Sequence, residues 1–274
     1  MRHHVIRVGV VVLMVVILLG MGCQSASSPK SGSSFPVGDE RPMVGVHLLE
    51  LSDGVTEKAF EEFVTGPFAE CFPEPVGGLT VRVEKCDRGQ DLGQYCAVWM
   101  FDSVARRDSY FPSEGPARAS FDEDVASKLP DAWSRFWEMC DSVEFTDYIV
   151  MYSTPRSPGV QSLYGVHDIV LADGTTPGEF EAFVDGPFAA AWPHSIGGMG
   201  RAILVGDRGA RAGEYQNVFI FTPASKRDEF FPTPTTQSEV YNRDVAPKLR
   251  GEIGEAMQRM TDRESYSDWA PVRR

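Results

Sequence analysis

Basic residues are scarce in this 274-residue chain. It has 26 lysines and arginines against 39 aspartates and glutamates, and its formal net charge at pH 7 is −13. A surface this acidic repels phosphate backbones and anionic lipid headgroups. We therefore expect no nucleic-acid partner, and we expect any membrane contact to depend on a dedicated anchor.

Several motifs of metalloenzymes, hydrolases and nucleotide-binding proteins are missing from the sequence. It contains no His-x-x-x-His pair, no Cys-x-x-Cys pair, no phosphate-binding glycine loop and no Gly-x-Ser-x-Gly elbow. We therefore predict no metal site, and hydrolase and nucleotide-dependent activities are disfavoured.

The chain also has no apolar run of the length that spans a bilayer. Val8 to Gly22 is an uninterrupted stretch of 15 apolar residues and glycines, whereas a spanning helix needs about 20 residues. Arg2 and Arg7 precede the stretch, so residues 1–22 are predicted to be an export signal. An uncleaved membrane anchor is the alternative, and both place the protein at the cell envelope, exported from the cytoplasm.

The residue after this stretch is a cysteine, Cys23, followed by a serine-rich segment. This arrangement resembles a bacterial lipoprotein signal, in which the cysteine becomes the lipidated first residue. Gly22 fits that pattern, whereas Gly20 departs from the leucine that is usual there. Removal of residues 1–22 takes away two arginines, which leaves 24 basic and 39 acidic residues and a net charge of 24 − 39 = −15.

The rest of the chain is duplicated. Residues 45–129 align with residues 165–249 at a constant offset of 120 without a gap, and 34 of the 85 pairs are identical, or 40 %. Such a match indicates a repeated folding unit. The predicted division after the signal is a flexible tether at 23–42, a first repeat at 43–151, a linker at 152–162 and a second repeat at 163–274.

The apolar pattern of each repeat predicts the element order β-α-β-β-α-β. Thr56 and Thr176 are predicted helix caps, and Glu179 completes a capping box with Thr176. Asp87-Arg88-Gly89 and its equivalent, residues 207–209, are predicted to form hairpin loops, with anion binding by the arginine as the alternative. Arg107-Asp108 and its equivalent, residues 227–228, read as ordinary charges on a helix surface.

A β-α-β-β-α-β unit forms an antiparallel sheet with its helices on one face, so the opposite face needs a cover. Alternation along the third strand places Tyr95, Trp99 and Phe101 on one side, and Tyr215, Phe219 and Phe221 are equivalent to them. We predict that these aromatic faces meet each other. The fold class is thus α+β, with two tandem ferredoxin-like repeats whose sheets pack into one pseudo-dimeric barrel.

The Gly-Val-His strand, the phenylalanine-rich helix and the Gly-Gly start of the second strand resemble the dimeric α/β-barrel superfamily. That superfamily includes stress-responsive barrel proteins and the monooxygenases of antibiotic biosynthesis. The resemblance covers both repeats and implies a barrel made of two units, here within one chain, so that a homo-oligomer is not required. It also brings haem into consideration, since some barrel relatives bind it; the cofactor is otherwise unknown.

His47 and His167 occupy equivalent positions in the first strand of each repeat. They could serve as proton carriers or haem ligands, or be core residues that fill space. We predict that both approach the barrel interior, close to Tyr95, Tyr215, Trp99 and Phe219. The tyrosines could hydrogen-bond a ligand there, with an ordinary core role as the alternative.

Apart from Cys23, all cysteines lie in the first repeat: Cys71, Cys86, Cys96 and Cys140. An even number in an exported chain permits two disulfides with three possible connectivities. Cys86 and Cys96 flank the predicted hairpin, so we predict a disulfide between them. Because the second repeat has no cysteine, a matched pair of catalytic thiols is excluded.

Three functions remain open. The favoured hypothesis is a lipid-anchored binding module that holds a small apolar or aromatic ligand in the barrel. The first alternative is an enzyme similar to the monooxygenases, either cofactor-free or haem-dependent. The second is a structural or assembly role in the cell envelope.

Overall fold

The computed structural model describes residue 36 and residues 38–154 and 162–272. The predicted signal peptide, Cys23, most of the tether and most of the linker lie outside these residues. Among the helices of the described part, none is both long enough and apolar enough to cross a bilayer.

Nine strands account for the sheet. They are β1 (Met43–Leu51), β2 (Leu79–Gly89), β3 (Tyr95–Phe101), β4 (Cys140–Ser153), β5 (Leu163–Leu171), β6 (Met199–Gly209), β7 (Tyr215–Phe221), β8 (Thr261–Arg263) and β9 (Ser267–Pro271).

The helices are short. They are α1 (Glu57–Phe63), α2 (Val104–Tyr110), α3 (Ala119–Asp124), α4 (Asp131–Met139), α5 (Pro177–Phe183), α6 (Ala189–Ala191), α7 (Ser225–Phe230), α8 (Glu239–Asp244), α9 (Ala246–Leu249) and α10 (Glu252–Met260). Two π-helical turns, Val64–Phe68 and Val184–Phe188, continue α1 and α5, and 3-10 turns occur at Gly38–Glu40, Ala69–Cys71 and Ala126–Lys128.

The strands form a closed antiparallel barrel with eight positions. Their order is β4-β1-β3-β2-β9-β5-β7-β6, and β6 pairs back to β4. β8 and β9 share one position, since both pair with β5. The last strand of each half lies between the two halves: β4 pairs with β1 and with β6, and β9 pairs with β5 and with β2. The barrel is therefore closed within one chain.

Local signals for the helices are confirmed. The Thr56 side chain accepts a hydrogen bond from the backbone at Ala59, and Thr176 forms the predicted capping box with Glu179. Each first helix changes to a π-turn at its Gly-Pro pair, because proline removes a backbone donor inside a helix. The second helical segment of the first repeat is divided into α3, a 3-10 turn and α4, with Pro130 as the N-cap of α4.

The prediction that the two Asp-Arg-Gly segments form hairpin loops is wrong. Residues 87–89 end β2 and residues 207–209 end β6, so they belong to strands. Gly89 pairs with Ser267 and Gly209 pairs with Thr146, each in the other half. Both glycines have positive φ, and a Cβ at either position would lie little more than 2 Å from a backbone oxygen of the other half. These glycines permit close contact between the halves.

The prediction that the aromatic faces of the two repeats meet each other is also wrong. Tyr95, Trp99 and Phe101 share one side of β3 as predicted, but that side meets the helices of its own half. Trp99 stacks on Phe121 of α3 with ring centroids 6.0 Å apart, and Tyr95 contacts Phe60 of α1 at 5.1 Å. The helix layer of each half is the aromatic core, whereas smaller apolar residues such as Val98 and Val218 face the barrel interior.

Arg107 and Arg227 are a third correction, since both are buried rather than ordinary surface charges. Arg227 of α7 binds Asp87 of β2 and Asp268 of β9. Arg107 of α2 binds Asp147 of β4 and Asp207 of β6 in the equivalent arrangement. Each arginine thus holds its own helix, its own last strand and the end of a strand from the other half.

Candidate ligand cavity

One end of the barrel is open. The antiparallel pairings make β1 and β5 run in the same direction, so their carboxyl ends lie at one mouth. The β2–β3 and β6–β7 connections reach the same mouth, because each of these hairpins turns there. A cavity at this end of the barrel therefore receives side chains from equivalent positions in both halves.

The cavity has a volume of about 410 Å³. Its lining residues are Val46, Leu48, Gln90, Asp91, Gln94, Cys96, Glu144, Phe145, Thr146, Tyr148, Val166, Asp168, Arg211, Gln216, Ser265, Ser267 and Trp269. This size lies within the usual range of small-molecule sites, roughly 300–1,000 Å³.

The two halves contribute different chemistry to equivalent wall positions. Leu48 of β1 corresponds to Asp168 of β5, and Cys96 of β3 corresponds to Gln216 of β7, each at the offset of 120. Asp91 similarly corresponds to Arg211 in the following hairpin. At the strand positions Leu48 and Cys96 the first half is thus less polar than the second half, which carries a polar cluster at the equivalent positions.

Asp168 is the centre of that polar cluster. Its Oδ1 lies 2.8 Å from Arg211 Nη1 and accepts a hydrogen bond from Gln216 Nε2 at 2.9 Å. Its Oδ2 accepts a hydrogen bond from the Ser265 hydroxyl. Two hydrogen bonds and one ion pair therefore hold the carboxylate in place.

Cys96 and Tyr148 contribute a thiol and a phenol to the remaining wall, which also carries the carboxylates Asp91 and Glu144. Burial raises the pKa of the Cys96 thiol well above its usual value, and nearby Glu84 raises it further. Burial likewise raises the pKa of Tyr148, with a smaller contribution from Asp168. Both groups are neutral at pH 7, so neither is an activated nucleophile.

A charged pair lies beneath the cavity, inside the barrel. Glu84 of β2 is directly opposite Cys96 in the strand register, and its Oε1 is 2.5 Å from Arg82 Nη2. The Arg82 guanidinium lies over the Tyr164 ring, 4.5 Å from its centroid. Burial raises the pKa of Glu84 to about 7, although Arg82 opposes this shift. The equivalent residues in the second half are Ala202 and Leu204, so this pair has no counterpart there.

The predicted positions of His47 and His167 are wrong. His47 pairs with Ala97 on the helix side of the sheet, and its ring lies 5.8 Å from Trp137 of α4. Its Nδ1 is hydrogen-bonded to the Ser142 hydroxyl. His167 packs against Phe219 at 5.3 Å and Tyr266 at 5.0 Å. Neither histidine lines the cavity, because strand alternation directs both to the outer face of the barrel.

The other predicted ligand contacts share this outer face. Trp99 lies 5.8 Å from His47, and Phe219 lies beside His167, so the sequence grouped these residues correctly. Tyr95 instead donates a hydrogen bond to Glu61 of α1 at 2.6 Å, and Tyr215 contacts Glu181 of α5 at 3.3 Å. All four aromatic residues therefore pack between sheet and helices rather than around the interior.

The predicted disulfide between Cys86 and Cys96 is absent, and both cysteines are free. The strand register explains this. Cys96 is opposite Glu84, whereas Cys86 exchanges backbone hydrogen bonds with Gly93 and Gln94. The two cysteines are offset by two residues along the hairpin instead of facing each other. Cys71 and Cys140 are also free.

The sequence patterns do not predict the polar cluster of Asp168, Arg211 and Gln216. Residues that are identical in the two repeats indicate the paired histidines and tyrosines as the site instead. The cluster is instead indicated by equivalent positions at which the two halves differ in polarity, as at Cys96 and Gln216. Such differences indicate where a symmetric scaffold has acquired a one-sided site.

Solved structures support the fold. A candidate monooxygenase from Lactobacillus acidophilus NCFM is similar over 85 % of this chain and 97 % of its own, with 11 % identity and a TM-score of 0.50. An anthrone oxidase-like protein has 15 % identity and a TM-score of 0.44, over 86 % of this chain and 92 % of its own. A candidate chlorite dismutase has 10 % identity and a TM-score of 0.45, over 85 % and 95 %.

No protein-family model matches the chain, and no curated protein matches it significantly. The fold is that of the dimeric α/β-barrel proteins, with a closed barrel of eight antiparallel strand positions. At this level of identity the similarity establishes the fold alone.

Proposed function

We propose that this protein is a small-molecule binding module whose ligand occupies the mouth of the barrel. The observation that carries the proposal is the asymmetry of the cavity: the first half has Leu48 and Cys96 at the strand positions where the second half has Asp168 and Gln216. Ligand sites in proteins combine apolar surface with a few polar groups that fix orientation. The ligand is accordingly a small apolar or aromatic molecule with one polar end.

Binding is favoured over catalysis by the state of the lining groups. The Cys96 thiol and the Tyr148 phenol have raised pKa values, so they are neutral at pH 7. Asp168 already accepts two hydrogen bonds and is ion-paired with Arg211, which leaves it poorly placed to take a proton from a substrate. These three groups therefore suit recognition better than bond cleavage.

A monooxygenase-like activity is the alternative that the similarity in fold supports. Haem fits the cavity poorly, because the two histidines lie on the other side of the sheet. The cavity does offer Cys96 and Tyr148 as potential axial donors. Burial opposes the anionic form of each that binds iron. A cofactor-free reaction is the form of this alternative that is compatible with the cavity.

A cavity-filling substitution tests the binding proposal. Val166 lies within the barrel wall, and Val166→Phe places a ring in the cavity. Purified wild-type protein is expected to carry a small molecule in native mass spectrometry, or to bind neutral aromatic compounds in calorimetry, and Val166→Phe is expected to do neither. Val143→Phe is the matched control, since Val143 is 54 % exposed. Equal binding by wild type and Val166→Phe would overturn the proposal.

We further propose that the module is attached to the cell envelope through a lipid on Cys23. The apolar stretch before Cys23 and the serine-rich segment after it support this. Cys23→Ser is expected to move the protein from the membrane fraction to the soluble fraction. Retention of the variant with an intact N-terminus would favour an uncleaved anchor instead.

The duplication is proposed to replace a homodimer. Its support is the pairing of β4 with β6 and of β9 with β2, which closes the barrel in one chain. Sedimentation of residues 36–272 is expected to give the mass of one chain. An obligate dimer that dissociates only on unfolding would contradict it.

A further inference from the structure

The amide of Gln216 has a fixed orientation at the cavity wall. Its Nε2 donates to Asp168 Oδ1 at 2.9 Å. A carboxylate accepts hydrogen bonds and cannot donate them, so the NH₂ group must face Asp168 and the amide oxygen must face away. Gln216 is only 6 % exposed, which leaves the side chain little freedom to turn.

The oxygen of this amide is an unused acceptor. Gln216 Oε1 is buried and has no hydrogen-bond partner among the residues that the structure describes. A buried acceptor without a partner is costly and uncommon in native proteins. Because Gln216 lines the cavity, a ligand that donates a hydrogen bond would remove this cost.

The neighbouring carboxylate does not compete for such a donor. Asp168 is engaged by Arg211, Gln216 and Ser265. These contacts also hold Gln216 in position, since they fix the group to which its Nε2 is bonded. The polar wall therefore contains one buried neutral acceptor without a partner, Gln216 Oε1, beside a carboxylate that is already paired.

The charge at the mouth acts against anions. The lining contains Asp91, Glu144 and Asp168 but only one basic side chain, Arg211, which is paired with Asp168. Negative charge around a recess repels anionic ligands, whereas it does not repel neutral or cationic ones. A ligand whose polar end is a carboxylate or phosphate is therefore disfavoured.

Aromatic side chains of the interior suit a flat ligand. Trp269 of β9 and Tyr148 of β4 line the cavity, and Val46 and Leu48 supply aliphatic surface. Aromatic rings favour stacked or edge contacts with other rings. A planar aromatic body can contact these surfaces while a substituent at its edge reaches Gln216.

We propose that the cavity selects an uncharged, planar aromatic ligand that donates a hydrogen bond, from a phenolic hydroxyl or an N–H group, to Gln216 Oε1. This inference rests on the proposed binding function and specifies the chemical class of its ligand. It also gives the ligand a single orientation. The equivalent residue of the first half, Cys96, offers no strong acceptor.

A series of naphthalene probes tests the inference by calorimetry. The probes are 2-naphthol, naphthalene, 2-methoxynaphthalene and 2-naphthoate. Wild-type protein is expected to bind 2-naphthol about tenfold more tightly than naphthalene and 2-methoxynaphthalene, which cannot donate a hydrogen bond. Binding of 2-naphthoate is expected to be weaker than that of 2-naphthol, because of its charge.

Variants then assign the preference to the amide. Gln216→Leu is expected to reduce the tenfold preference to less than twofold while naphthalene still binds. Gln216→Cys, which copies the first half, gives the same comparison if the leucine variant folds poorly. Gln258→Leu is the matched control, because it removes an exposed amide on α10 that lies outside the cavity lining. It is expected to keep the preference.

The possible outcomes distinguish a failure of this inference from a failure of the proposed binding function. Equal affinity of wild type for all neutral probes, or an unchanged preference in Gln216→Leu and Gln216→Cys, overturns the donor rule and leaves a binding cavity. Tighter binding of 2-naphthoate overturns it as well. Failure of every probe to bind, together with no co-purified molecule, overturns both proposals.

Discussion

The guanidinium group of Arg227 makes a bidentate contact with the carboxylate of Asp87. Nη1 and Nη2 each donate to a different carboxylate oxygen at 2.8 Å, and the two residues are 140 positions apart. Nη1 also donates to buried Asp268 at 2.6 Å. The arginine therefore joins the end of β2 to the last strand of the other half. Bidentate contacts of this kind add geometric specificity to charge.

Replacing Arg227 is expected to destabilise the barrel strongly. Arg227→Ala leaves the Asp268 carboxylate buried without its partner, and breaking such a pair costs about 3–5 kcal/mol. Urea unfolding of residues 36–272 measures the change. Arg243→Ala is the control, since exposed Arg243 pairs only with its neighbour Asp244, and little change is expected there. Equal stability of the two variants would show that the buried arginine does not hold the halves together.

The charged pair beneath the cavity is expected to be replaceable. Glu84→Leu alone leaves Arg82 buried without a carboxylate and is expected to lower the free energy of unfolding by several kcal/mol, about 3–5. The double variant Arg82→Met/Glu84→Leu removes both charges at similar volume, and leucine already occupies the equivalent position, Leu204. It is expected to be as stable as wild type or more stable.

A double-mutant cycle from chemical denaturation checks this prediction, with Arg82→Met as the fourth corner. Strong coupling between the two substitutions is the expected result. Additive losses, with the double variant the least stable, would instead indicate that the pair stabilises the barrel in its own right.

All four cysteines of the described part are expected to be thiols. Cys71, Cys86, Cys96 and Cys140 are buried and free. Alkylation of unreduced residues 36–272 after denaturation should add four labels, whereas labelling of the folded protein should be slow. Burial raises the pKa of Cys86 to about 11 and that of Cys140 to about 12, which suppresses the reactive thiolate. Two labels instead of four, with a peptide linking residues 86 and 96, would restore the disulfide.

Local features of the fold could be predicted from the sequence because they depend on neighbouring residues. The caps at Thr56 and Thr176 and the Gly-Pro turns follow from backbone chemistry within a few positions. Alternation along a strand is equally local, so Tyr95, Trp99 and Phe101 were grouped correctly. It fixes which residues share a face, but it does not say which face meets the helices.

Features that depend on distant partners could not be predicted in this way. The spacing of Asp87-Arg88-Gly89 is typical of a turn, and only pairing with the other half makes it the end of a strand. The cavity depends on the register of all eight strand positions. Its polar wall, Asp168 and Gln216, is visible in the sequence only as a loss of symmetry between the halves.

The buried histidines make stability depend on acid pH. Burial lowers the pKa of His167 from 6.5 to about 3. Below pH 6.5 the unfolded chain takes up a proton that the folded protein cannot bind. This contribution to stability is therefore complete above about pH 6.5 and is lost progressively as the pH falls towards 3. At pH 5 the loss from this one group is about 2 kcal/mol.

His167→Gln is accordingly expected to lose less stability than wild type between pH 7 and pH 5, by about 2 kcal/mol. Glu84 acts with the opposite sign, since its raised pKa makes the folded state bind the extra proton between about pH 4.5 and 7. It is present in both proteins, so its effect cancels in the comparison. His194→Gln is the control, because His194 is exposed. Denaturant unfolding curves at each pH give the free energy of unfolding of each protein. Parallel pH profiles for wild type and His167→Gln would show that His167 is protonated as readily in the folded barrel as in the unfolded chain.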